Sequence, residues 1–122
     1  MNFSASLLSA SIVLMATSPT FAQDDVMANF YGNTLIAKGG LAESRTVYTR
    51  DHRFVMTVPS FGLAFKGAWA VKDGQVCRVF ETTPPGVTNP LCTPAQPHAV
   101  GETWTSMING KPVSVTLAKG LQ

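Results

Sequence analysis

The residues of this chain that could do chemistry are few, and two groups of them stand out. Arg50, Asp51, His52 and Arg53 form its one dense charge cluster. As a polar turn they would simply be solvated. At the mouth of a barrel, His52 could move a proton and Arg50 or Arg53 could clamp an anion. The second group is assembled by counting back from two tight turns. Asp73-Gly74 and Asn109-Gly110 are strong hairpin signals, because a type I′ turn needs positive φ at both central residues.

A two-residue turn at Asp73-Gly74 sets Val71 opposite Val76, Trp69 opposite Arg78 and Gly67 opposite Phe80, all on one sheet face. The same count at Asn109-Gly110 pairs Ser106 with Val113, Trp104 with Val115 and Glu102 with Leu117. The reverse face of that hairpin (Thr103, Thr105, Ser114, Thr116) suits water. The aromatic faces therefore look inward, and they carry Arg78, Glu102 and Ser106 beside Trp69, Trp104, Phe65 and Phe80. An inward Arg is costly unless paired. An Arg78–Glu102 ion pair, or an Arg78 that reaches the rim, would satisfy it. The functional alternative is an Arg that binds a carboxylate or phenolate inside an aromatic cup. Tyr48, His52 and Glu102 are the candidate proton-transfer residues for chemistry in such a cup. Gly67, opposite Phe80, reads as a twist point in the sheet.

The elements that must position these groups are mainly strands. Asp24 is a candidate N-cap, and Val26, Met27, Phe30 and Tyr31 follow at helical spacing, which predicts a short helix over 25–32. Strand signals follow at 43–49, 53–58, 63–71, 75–81, 102–108 and 111–118, with a marginal one at 35–36. The stretch 63–71 alternates most clearly, with Leu63, Phe65, Gly67, Trp69 and Val71 on one side. Residues 82–99 differ: five of the eight prolines lie between 84 and 97, which predicts an ordered arm and not a central strand. Six to eight short strands joined by tight turns predict a small antiparallel meander barrel or half-barrel with one short N-terminal helix. A two-layer sandwich is the second choice.

The 122 residues suffice for one domain. Residues 2–22 carry no charge, and Leu7 to Ala16 is a ten-residue, mainly apolar run. That is half of what a membrane span needs. Small residues end it at Thr20 and Ala22, which predicts a secretory signal cut after Ala22, a periplasmic or secreted domain over 23–122, and no stable membrane anchor. In an oxidising compartment Cys77 and Cys92, with fourteen residues between them, predict a disulfide. A net charge of +2 is too small and dispersed for a nucleic-acid surface. No phosphate loop, dinucleotide fingerprint, Gly-x-Ser-x-Gly or His-Glu-x-x-His is present, and neither His98 nor His52 has metal-site spacing. No cofactor or metal is expected.

The segment Gly67-Ala68-Trp69-Ala70-Val71-Lys72-Asp73-Gly74-Gln75-Val76-Cys77 is a Gly-x-Trp-x-Val-x-Asp-Gly-x-x-Cys hairpin. A Pro-rich stretch with a second Cys, then Val100-Gly101-Glu102-Thr103-Trp104 and the Asn-Gly hairpin, complete the pattern. Over about 63–118 it resembles small exported β-barrel proteins of proteobacteria; the likeness to lipocalin cups is architectural. The resemblance implies fold and compartment, and no catalytic residue follows from it.

Three functions fit these features. The first is a binding module for a small, partly apolar, anionic molecule. The second is a cofactor-independent lyase or isomerase using the same cup. The third is an interaction protein that uses the Pro-rich arm or a sheet edge. The protein is expected as a monomer or a homodimer.

Overall fold

Both predicted tight turns form. Asp73 and Gly74 have φ of 51° and 73°, and Asn109 and Gly110 have 51° and 74°. The computed structural model describes residues 23–122, so the predicted signal segment lies outside the described residues. Eight strands follow in order: β1 (Thr34–Lys38), β2 (Ser44–Tyr48), β3 (Arg53–Val58), β4 (Leu63–Lys72), β5 (Gln75–Phe80), β6 (Leu91–Pro94), β7 (Thr103–Ile108) and β8 (Lys111–Ala118). All neighbours pair antiparallel, in the order β6-β5-β4-β3-β2-β1-β8-β7. Around the circle this is an up-and-down meander. The β1–β8 pairing closes one side, and the unpaired edges β6 and β7 approach each other across a seam. The chain is a nearly closed eight-stranded barrel.

The hairpin registers match the count from the turns. Gly67 pairs with Phe80, Trp69 with Arg78 and Val71 with Val76. Trp104 pairs with Val115 and Ser106 with Val113. Glu102 lies just outside β7, though the Leu117 amide still donates to its carbonyl at 3.0 Å.

Two expectations need correction. The segment 25–32 is no α-helix: a 3₁₀ turn spans Gln23–Met27, and Phe30 and Asn33 each bond the carbonyl three residues back. Eight residues that must bury Met27 and Phe30 against a barrel end gain more from this tight coil than from two turns of α-helix. The Pro-rich stretch also contains a strand, β6, which pairs only with β5. Its edge position and its terminal Pro94 are what proline tolerates.

Cys77 and Cys92 are cross-strand partners on β5 and β6 and form the disulfide. In the chain-entropy model, closing a loop of this length contributes about 3 kcal/mol. Replacing both cysteines by serine is expected to lower the unfolding free energy by about that amount. Urea titration of the oxidised and variant proteins measures the difference.

The core gathers at one end. Tyr48, Phe54, Trp69 and Phe80 pack edge-on or tilted against one another and against Phe30. The 3₁₀ segment and the β2–β3 turn close this end. The opposite end carries the β1–β2, β3–β4 and β5–β6 connections and the Asn109-Gly110 turn, and it is the open one.

Candidate functional site

Above the aromatic floor the barrel encloses a cavity of about 750 Å³, open at the loop end. That volume lies within the range of small-molecule pockets. Its walls alternate as strand geometry requires. Leu35, Met56 and Phe65 share a face with Thr46, and Val113 and Val115 continue the apolar wall on β8. Among the described residues the lining contains Arg78, Lys111 and His98, and no Asp or Glu.

Arg78 is the unusual member. It is 6% exposed, and its Nη1 donates to the Thr46 hydroxyl at 3.1 Å. The guanidinium carbon lies 6.0 Å from the ring centres of both Phe54 and Phe80, which places the charge over the aromatic floor. No carboxylate of the described residues forms an ion pair with it. A guanidinium has five N–H donors, so a fork of donors faces a cavity that holds no acid. Tyr48 lines the cavity beside it. Burial pushes the Tyr48 phenol above its ordinary range, and the Arg78 charge pulls part of the way back. At neutral pH Tyr48 is therefore a neutral hydrogen-bonding group.

Of the sequence-derived ligand set, the structure brings Arg78, Phe65, Trp104 and Ser106 to the cavity. Trp69 and Phe80 belong to the packed floor beneath it. The proton-transfer trio is not assembled, because only Tyr48 reaches the cavity. His52 sits at the closed end, stacked on Trp69 at 4.2 Å, with its Nε2 2.6 Å from Asp24. Of its neighbours, Arg50 lies over Tyr31 at the same end, and Arg53 pairs with Glu81 across the outer face of β3, β4 and β5. The charge cluster thus stands at the closed end and on the outer wall beside it, not around the mouth.

Glu102 does not meet Arg78, so the ion pair that was one way to satisfy the arginine does not form among the described residues. Its carboxylate turns back to accept the Ala99 amide at 2.8 Å and lies 3.1 Å from His98 Nδ1. His98 in turn stacks on Trp104 at 3.5 Å and lines the cavity. The Ala99 amide first, and then His98, hold the Glu102 carboxyl below its ordinary range. A depressed carboxyl stabilises the fold above its unfolded-state pKa, and that contribution fades as pH falls through the folded value. Glu102→Gln keeps an oxygen for Ala99 but drops the charge. It is expected to lower the melting temperature at neutral pH, with the gap to the parent closing as pH falls below the glutamate range. Paired melting curves from pH 7 to pH 3 measure this.

Sequence reasoning missed Thr46 and Lys111, and it weighed His98 only for a metal site, not for the cavity wall. Thr46 is a buried hydroxyl whose partner lies thirty-two residues away, and nothing local marks it. Lys111 is legible only as the residue after a turn that happens to stand at the mouth. Among the described residues no helix is long and apolar enough to cross a membrane. No family model matches the chain, and neither the curated proteins nor the solved structures give a match.

Proposed function

We propose that this protein is an exported binding barrel, periplasmic or secreted, whose cavity takes a small, partly apolar anion. One observation carries the reading: the buried Arg78 guanidinium, bonded to Thr46, faces an apolar cavity without an acid in its lining. A buried cation without a counter-charge costs free energy, and an anionic ligand would supply that charge. The predicted signal segment and the Cys77–Cys92 disulfide support the compartment, as does the resemblance of 63–118 to exported barrels.

Native mass spectrometry of the oxidised protein, isolated from the exported fraction of its own host, tests the proposal. The expected result is a retained small molecule that is lost from the Arg78→Met variant. A retained molecule indifferent to that substitution would overturn the reading. So would a protein that neither retains nor, on addition, binds any organic anion.

A further inference from the structure

We infer that the ligand is a single-chain alkyl anion, held head inward at Arg78 with its tail running to the mouth. The inference rests on the anion-binding reading above and adds the shape and direction of the ligand.

The argument begins with depth. Arg78 pairs with Trp69 of the floor, and its guanidinium lies near the Phe54 and Phe80 rings, so an anion bound to it lies low in the barrel. Above that level the walls are mainly apolar: Ala37, Met56, Val58, Val113 and Val115 line the cavity on three strands. The apolar character continues to the rim. Leu41, Phe61 and Leu63 line the same cavity from the β1–β2 loop, the β3–β4 connection and β4. They are 95%, 63% and 46% exposed, respectively.

Scattered exposed apolar residues are ordinary, but three that line the opening of one apolar cavity are the arrangement of a binding site. An apolar column therefore leads from a buried cation to the outside. A compact aromatic acid would occupy the floor and leave the column wet. A straight alkyl chain removes the whole column and part of the rim from water. Lys111, the other cation of the lining, stands at the mouth beside the Asn109-Gly110 turn. The opposite orientation would put the head there and leave Arg78 buried without a counter-charge.

Titration calorimetry of the full barrel with straight-chain carboxylates from hexanoate to tetradecanoate, below their micellar concentrations, tests this. Burying each methylene is worth about a threefold to fourfold gain in affinity. The dissociation constant is expected to fall by about that factor per carbon, until the tail reaches the rim. Arg78→Met should weaken every acid and leave the alcohol of matching length unchanged. The double variant Leu41→Ser with Phe61→Ser, at two exposed loop positions, should flatten the gain for the longest chains only.

If benzoate binds in an Arg78-dependent way and chain length adds nothing, the alkyl inference falls and the anion-binding reading stands. If affinity rises with length but depends on Lys111 and not on Arg78, the orientation is reversed and both fall. If no acid binds, the anion-binding reading itself fails.

Discussion

Arg78→Met is expected to yield a more stable protein that no longer holds an anion. The two effects have one cause. A buried cation without a partner charge has lost its hydration, and the hydroxyl of Thr46 replaces only part of it. Methionine fills similar space with no charge, and its flexible thioether adapts to irregular gaps. Exchanging buried ionic groups for apolar ones of similar volume is often neutral or stabilising by about 1–4 kcal/mol. Against this, the buried Thr46 hydroxyl loses its partner, which costs about 1 kcal/mol. The net expectation is a gain of about 1 kcal/mol, or a rise of about 4–8 °C in melting temperature for a domain of this size.

Binding should move the other way. Removing one partner of a buried charge pair costs about 2–5 kcal/mol, so affinity for an organic acid should fall at least about thirtyfold. Arg78→Lys separates charge from geometry. Lysine keeps the charge but not the planar fork, so it should bind the acid more weakly than the parent without the stability gain. Adding Thr46→Val to Arg78→Met removes the orphaned hydroxyl and should raise stability again. Melting curves and titrations on the four proteins measure all of this. A variant that is less stable and still binds would mean that the guanidinium serves packing, not recognition.

What the sequence revealed here follows from the range of each interaction. The hairpins β4–β5 and β7–β8 were legible because their turns need positive φ, and a two-residue loop fixes every pair along the ladder. That reasoning places Arg78 inside, beside Trp69. It could not find Thr46, on a strand reached only by going around the barrel.

Glu102 failed for a local reason. It follows Gly101 at φ 91°, so the strand begins one residue later and the carboxylate satisfies the Ala99 amide instead of facing inward. His52 failed because it takes φ 63° at the end of its turn, on the side of the barrel that the 3₁₀ segment closes. Counting alternation assigns residues to a face. Whether an inward aromatic lines a cavity, as Trp104 does, or packs the floor, as Trp69 does, depends on depth along the barrel axis. Depth is set by strand tilt and by which loops close, and neither is written in one hairpin.

Gly67 is where that curvature has its strongest physical requirement. An added Cβ at this position would lie well inside van der Waals contact of the Val79 carbonyl oxygen and 2.9 Å from Phe54 Cε1. No room is left on that face opposite Phe80: β5 backbone and the Phe54 ring close directly over the glycine. Gly67→Ala is expected to lower stability by about 4 kcal/mol, beyond the ordinary overpacking cost of about 1–3 kcal/mol. A side chain can change rotamer to escape a clash, but a carbonyl in a sheet ladder cannot move without breaking pairs on both of its strands.

Two comparisons isolate this cause. Gly74→Ala, where nothing lies near the added carbon but φ is 73°, should cost only about 1–2 kcal/mol of left-handed strain. Phe54→Leu combined with Gly67→Ala should not recover the loss, because it frees the ring contact and leaves the carbonyl in place. Urea unfolding of these variants gives the ranking. If Phe54→Leu does restore stability, crowding of the floor and not the backbone approach sets the cost. The glycine would then matter for what the floor holds up, the Arg78 guanidinium above Phe54 and Phe80, more than for how the sheet bends.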